Sequence, residues 1–129
     1  MAHALIIDDS STVRMFYREV LEAEGFAVDE AINGLEGLEK VMSEAFDVVL
    51  VDVNMPRMDG YTFLKEMRAM PETQGLPAVM ISTEAKPEDQ TKAYASGANI
   101  YMVKPVHPTE LAAIVRLVTG AAPAQRTLS

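Results

Sequence analysis

The segment Val48-Val49-Leu50-Val51-Asp52 is a short apolar run that ends in a carboxylate. Three further runs end in residues suited to phosphoryl or metal chemistry: Ala4-Leu5-Ile6-Ile7 before Asp8 and Asp9, Ala78-Val79-Met80-Ile81 before Ser82, and Ile100-Tyr101-Met102-Val103 before Lys104. The runs are rich in Val and Ile and do not alternate with polar residues, which is typical of strands buried on both faces of a parallel sheet. Because the carboxyl ends of parallel strands meet at one edge, we expect these polar residues to lie together.

Between these runs the apolar residues follow the helical period. The predicted helices lie at about 11–24 (Val13, Phe16, Tyr17, Val20, Leu21), after a turn at Asn33-Gly34 (Leu35, Leu38, Val41, Met42), after Asp59-Gly60 (Phe63, Leu64, Met67), at 87–96 and at 108–119 (Leu111, Ile114, Val115, Val118). Val28 marks a brief additional strand. Five successive β-then-α units predict an α/β fold: a doubly wound, five-stranded parallel sheet of order 2-1-3-4-5 in a flavodoxin-like three-layer sandwich.

The composition indicates one soluble domain. The chain has 129 residues, is 49% hydrophobic, contains no cysteine and carries a formal net charge of -8. The acidic charge argues against sequence-independent nucleic-acid binding, and no apolar stretch reaches the length of about 18 residues that a membrane span needs. We therefore expect a cytoplasmic protein whose partners are proteins, with one domain at 1–120 and a flexible tail at 121–129.

Three carboxylates are predicted to share one cleft. In an open sheet of this order, ligands bind where the strand order reverses, which is between strands 1 and 3, the strands that carry Asp8-Asp9 and Asp52. Two such charges about 4 Å apart repel by roughly 4 kcal/mol at an effective dielectric constant near 20, so the cluster favours a bound cation. Oxygen ligands of this kind suit Mg²⁺, and His3 and His107 are interpreted as solvated residues outside the site.

This combination of groups predicts phosphoryl chemistry. A carboxylate beside Mg²⁺ and an ammonium group can attack a phosphoryl group and form an acyl phosphate. We assign the attack to Asp52, charge neutralisation to Lys104, and a hydroxyl donor for the product to Ser82. The modified residue gains about 1.5 to 2 negative charges, enough to draw neighbouring donors toward it. Phosphorylation is thereby expected to change the shape of the protein.

The motifs together closely resemble those of response-regulator receiver domains, and most of all those of the stand-alone chemotaxis members. They are Asp8-Asp9, the segment from Asp52 to Gly60, Ser82-Thr83-Glu84-Ala85, and Tyr101-Met102-Val103-Lys104-Pro105, and the similarity covers about residues 4 to 119. The resemblance implies a switch that catalyses only its own phosphorylation and dephosphorylation. It also implies that the phosphoryl donor is a phosphohistidine on a sensor histidine kinase or a histidine phosphotransfer protein.

The resemblance also implies individual roles. Asp9 and Asp52 would bind Mg²⁺ directly, Asp8 would bind it mostly through water, and the backbone carbonyl of Asn54 would complete the shell. Lys104 would contact the phosphoryl group. Ser82 would move toward the phosphoryl group on activation, and Tyr101 would change its rotamer with that movement. Asn54 and Glu84 would tune the rates of phosphorylation and dephosphorylation. The Lys104-Pro105 bond is often cis in the family, although sequence alone favours trans.

The sequence is compatible with several modes of action. The expected output surface for a downstream protein is formed by helix 87–96, strand 100–103 and helix 108–119. Instead of signalling directly, such a regulator could act as a phosphorelay intermediate or as a phosphate sink. From other classes, a Mg²⁺-dependent aspartyl-phosphate phosphohydrolase would need a general acid and a cap, and a flavodoxin-like cofactor carrier would need a phosphate-cradling loop after the first strand.

Overall fold

The sheet has the predicted order and direction. The computed structural model describes residues 2–120, so the predicted tail at 121–129 lies outside the described residues. Its strands are β1 (His3–Ile7), β2 (Ala27–Ala31), β3 (Val48–Asp52), β4 (Ala78–Ser82) and β5 (Ile100–Val103). All neighbouring pairs are parallel, in the order β2-β1-β3-β4-β5. The prediction of a doubly wound five-stranded sheet is confirmed.

Five helices cover the two faces of this sheet, in agreement with the sequence pattern. They are α1 (Ser11–Ala23), α2 (Gly34–Ser43), α3 (Gly60–Ala69), α4 (Pro87–Ser96) and α5 (Pro108–Thr119). Alternate residues of each central strand enter two separate cores: Leu5 and Val49 pack with α2, α3 and α4, whereas Ala4 and Leu50 pack with α1 and α5. Both faces are buried, and for this reason the strands read as continuous apolar runs.

Three of the helices, α1, α2 and α3, begin at polar side chains that accept from the first free backbone N–H groups. Ser10 caps α1 by accepting from the N–H of Val13, and Asp59 caps α3 by accepting from the N–H of Thr62. Asn33 does the same for α2 through the N–H of Glu36, at 2.8 Å. The predicted turn at Asn33-Gly34 is therefore wrong in its detail, since these residues are the cap and the first residue of a helix.

The buried face of α2 also differs from the prediction. Val41 is buried and Leu38 packs against the core, as predicted, but Leu35 and Met42 are exposed and Gly34 and Gly37 are buried instead. A Cβ at Gly37 would overlap the side chain of Ile7, so the glycine allows the helix to approach the sheet closely. The apolar stripe predicted the wrong rotation of α2 about its axis. The helix instead turns its small residues toward the sheet, because only small residues allow it to approach closely.

Among residues 2–120, no helix combines the length and the apolar character needed to cross a bilayer.

Candidate functional site

The three predicted carboxylates lie together at the edge where the strands end. Asp8 and Asp9 occupy the loop between β1 and α1, and Asp52 is the last residue of β3, the strand that pairs with β1 on the side away from β2. One carboxylate oxygen from each residue lies within 4.8 Å of the others. The predicted convergence at the reversal of strand order is therefore present.

Lys104 extends into the same cleft from the loop after β5. Its Nζ lies 3.2 Å from Oδ2 of Asp8 and 3.4 Å from Oδ1 of Asp52. Its backbone N–H donates to the carbonyl of Ser82 at 2.7 Å, which holds the residue against the end of β4. The Lys104-Pro105 peptide bond is cis, as the family resemblance implies and unlike the expectation from sequence alone. The cleft therefore contains three anionic groups and one cationic group.

Burial and hydrogen bonding distinguish the three carboxylates. Asp8 is 2% exposed and accepts from the N–H of Ser10 and from Lys104, whereas Asp9 is exposed. Asp52 is largely buried, and its Oδ1 accepts from the N–H of Val53 at 2.9 Å. Burial and the nearby charge of Asp8 raise the pKa of Asp52, and Lys104 and the N–H of Val53 only partly oppose this. Keeping Asp52 ionised in the cleft therefore lowers the stability of the folded protein.

This cost predicts a pH-dependent gain in stability for Asp52→Asn in a chelating buffer. A carboxyl group whose pKa is raised by folding contributes its full stability below the pKa of the unfolded state. That contribution is lost as the pH rises through the pKa of the folded state. The variant is therefore expected to melt above the wild type at neutral pH, and the difference should vanish toward pH 3. Thermal melts of both proteins across this range measure it. A variant less stable than the wild type at neutral pH would contradict the sign.

A second group of predicted residues forms a chain of hydrogen bonds beside the cleft. Ser82 is fully buried, and its Oγ accepts from the N–H of Glu84 at 3.1 Å. The hydroxyl of Tyr101 donates to the carbonyl of Glu84 at 2.6 Å. Glu84 is thus attached on one side to Ser82 and on the other to Tyr101. Asn54, two residues after Asp52, and Glu84, two residues after Ser82, are exposed.

Two residues of α1 lie against the site and were not predicted to. Tyr17 is 3% exposed, and burial together with the charges of Asp8 and Asp52 raises the pKa of its phenol. The side chain of Arg14 is 13% exposed and donates to the backbone carbonyl of Asp8 at 2.7 Å. Tyr17 was assigned to the apolar stripe, and Arg14 lies beside that stripe, so periodicity alone gave no sign of either contact.

The prediction that His3 is a solvated residue is wrong. Its two ring nitrogens lie 3.0 Å from Oδ2 of Asp29 and 3.1 Å from the carbonyl of Ala45, and its ring packs on Phe46. His3, Asp29 and Glu44 form a second group of possible ligand atoms at the opposite edge of the sheet. Both ring nitrogens of His3 already have protein oxygens as partners. The contact between His3 and Asp29 therefore links β1 to β2. His107 is exposed before α5, as predicted.

Comparisons with known proteins agree with this geometry. A family model described as the response regulator receiver domain matches residues 4–116. The chain is 36% identical to the chemotaxis response regulator CheY4 of Vibrio cholerae, with a TM-score of 0.87 over 92% of this chain and 98% of that one. It is 38% identical over 112 residues to an uncharacterized 14.6 kDa protein of Leptolyngbya boryana, covering 87% of this chain and 86% of that protein.

The sensor histidine kinase CheAY of Helicobacter pylori contains a segment 39% identical to this chain over 114 residues. The match covers 87% of this chain but 14% of that kinase, so the likeness concerns one part of a much longer protein.

Proposed function

Because the chain belongs to the response regulator receiver domain family, we propose that it is a phosphorylation-activated switch of a two-component system that accepts its phosphoryl group on Asp52. The donor is a phosphohistidine on a sensor histidine kinase or a histidine phosphotransfer protein. The observation that carries the proposal is the position of Asp52, which lies beside Asp8 and Asp9 and 3.4 Å from Lys104. This arrangement supplies a nucleophile, cation ligands and a positive charge in one cleft.

The residues of the cleft suit Mg²⁺, which receiver domains bind at an acidic site. The side chains of Asp8, Asp9 and Asp52 and the backbone carbonyl of Asn54 offer only oxygen ligands, which this hard ion prefers. They also leave excess negative charge that Lys104 alone does not balance. When bound, Mg²⁺ neutralises negative charge on the phosphoryl oxygens.

The residues of this chain then perform the transfer by orientation and charge. A carboxylate oxygen of Asp52 forms a bond to phosphorus while the bond between phosphorus and the imidazole nitrogen of the donor breaks. That nitrogen keeps the electron pair, and Asp52 becomes an acyl phosphate. Lys104 pairs with the phosphoryl oxygens, and the exposed residues Asn54 and Glu84 tune how fast the group arrives and leaves.

The chain from Ser82 to Tyr101 connects this chemistry to the surface. The new phosphoryl oxygens accept from the hydroxyl of Ser82, which moves toward them and gives up its bond with the N–H of Glu84. Displacement of Glu84 removes the acceptor of the Tyr101 hydroxyl, and the Tyr101 side chain changes rotamer. The hydrogen bond from the Tyr101 hydroxyl to the Glu84 carbonyl at 2.6 Å supports this coupling, since a shift of the Glu84 backbone lengthens or breaks that bond.

The output is a protein contact, made in the cytoplasm through α4, β5 and α5 as in a chemotaxis regulator. The exposed side chains of Tyr94 in α4 and Val103 in β5 belong to these elements and support the assignment. Use as a phosphorelay intermediate or a phosphate sink would employ the same cleft, and phosphotransfer profiling against kinases and histidine phosphotransfer proteins separates these roles.

Incubation with acetyl phosphate tests the proposed chemistry. With Mg²⁺ present we expect intact-protein mass spectrometry to detect one added phosphoryl group, located by borohydride reduction and peptide mapping at Asp52. Excess EDTA should prevent the addition. A protein that remains unmodified with Mg²⁺, both by acetyl phosphate and by a panel of phosphorylated histidine kinases, would refute the proposal.

A further inference from the structure

Arg14 bridges the loop that carries two of the acidic residues and a carboxylate on β2. Its Nη1 donates to the backbone carbonyl of Asp8 at 2.7 Å, and its Nε donates to Glu30 at 2.7 Å. A guanidinium group can make both bonds at once because its donors form a rigid planar fork. The side chain is 13% exposed, so the surrounding protein restricts its movement.

Glu30 is itself a fixed anchor. Its second oxygen accepts from Nε of Arg18 at 2.6 Å, so each carboxylate oxygen is held by a different arginine. Burial acts to raise the pKa of Glu30, but the bonds from Arg18 and Arg14 outweigh it and the pKa is lowered. The carboxylate therefore stays ionised at neutral pH and holds Arg14 in place.

The bond to Asp8 occurs where the regular pairing of the sheet ends. The N–H of Asp8 still donates to the carbonyl of Ala31, in continuation of the pairing between β1 and β2. The Asp8 carbonyl belongs to the peptide group that leads to Asp9, and Arg14 is a donor to it. The plane of this peptide sets the direction in which the backbone of Asp9 leaves β1.

We propose that Arg14, anchored on Glu30, is a positioning residue that orients the Asp8-Asp9 peptide so that both carboxylates face Asp52 in the arrangement that binds Mg²⁺. The inference rests on the proposed function and adds to it a residue that touches neither the ion nor the phosphoryl group. Groups that orient metal ligands in this way strongly affect metal affinity.

A purely electrostatic role for Arg14 predicts the opposite sign. Removing a cation from beside an acidic cluster makes the cluster more negative and should tighten Mg²⁺ binding. Loss of orientation should weaken it. The direction of the change in affinity therefore distinguishes positioning from charge.

The test compares Arg14→Met with Arg18→Met. Both variants lose one positive charge and one bond to Glu30, but only Arg14 contacts the Asp8 carbonyl. By calorimetry with Mg²⁺ alone we expect Arg14→Met to bind about tenfold more weakly, and we expect Arg18→Met to weaken binding much less, because Arg14 still joins Glu30 to the Asp8 carbonyl. The Mg²⁺ affinity of Arg14→Lys should lie between those of the wild type and Arg14→Met, since one ammonium group cannot make both bonds. Arg14→Lys also provides a second variant if Arg14→Met does not fold.

Kinetics with acetyl phosphate supply a readout that a general loss of stability would not produce. The Mg²⁺ concentration for half-maximal rate should rise in Arg14→Met, while the rate at saturating Mg²⁺ stays near the wild-type value. Unchanged or tighter Mg²⁺ binding in Arg14→Met, or equal weakening in Arg18→Met, would overturn the inference. Failure of the wild type to bind Mg²⁺ would instead count against the proposed function, so the two failures are distinguishable.

Discussion

Replacing Asp52 by asparagine is expected to reduce phosphoryl uptake from acetyl phosphate to an undetectable level. The amide has nearly the same shape, but it lacks the anionic oxygen that attacks phosphorus. It also removes one of the three carboxylates of the cation site. The measurement is the mass of the protein after incubation with acetyl phosphate and Mg²⁺, with circular dichroism to establish that the fold persists.

Asp59→Asn is the matched control for this substitution. Asp59 is exposed and caps α3 through the N–H of Thr62, a role that asparagine also fills well. The control makes the same chemical change near the cleft and should keep its phosphoryl uptake. A phosphoryl group that still appears on Asp52→Asn would show that another residue is the acceptor.

Gly60→Ala is expected to impair both the fold and phosphorylation. Gly60 begins α3, and a Cβ there would overlap the backbone carbonyl oxygen of Asp52 and lie 3.1 Å from Cε of Met80. The obstacle is backbone, so either α3 or the end of β3 must shift. We expect a loss of about 1 to 3 kcal/mol in the free energy of unfolding. If Asp52 moves by about 1 Å, its phosphorylation rate should fall by about 100-fold.

Gly75→Ala separates this steric effect from the general effect of replacing glycine. No heavy atom lies within 4 Å of a Cβ at Gly75, and its φ is not positive. Alanine there should leave phosphorylation unchanged and stability equal or slightly higher. Denaturant unfolding of both variants measures the comparison. Equal stability of Gly60→Ala and Gly75→Ala would mean that the tight contact with Asp52 relaxes without cost.

The ends of the strands made the convergence of these polar side chains predictable from the sequence. Lys104 and Asp8 are 96 positions apart, and their side chains still meet at 3.2 Å. The prediction succeeded because each residue ends an apolar run, and because parallel strands place all their carboxyl ends at one edge. Neither step requires knowledge of a specific side-chain contact.

Other features left no signal of this kind. The buried face of α2 contains its glycines and not Leu35 and Met42, because the helix lies so close to Ile7 of the sheet that a larger residue at position 37 would overlap it. His3 pairs with Asp29 because the start of β1 lies beside β2, whereas the sequence shows only an isolated histidine near the N-terminus.

The amino-acid sequence by itself determined the strands, the helices and the edge at which Asp8, Asp9, Asp52, Ser82 and Lys104 collect, because apolar periodicity and the residues that end it are local properties of the chain. Only the tertiary structure decided that Arg14 reaches both Glu30 and the Asp8 carbonyl, although Arg14 and Glu30 are 16 positions apart. Such a contact depends on how α1 is rotated against β2, and that rotation is set by the packing of the whole core rather than by any repeating pattern.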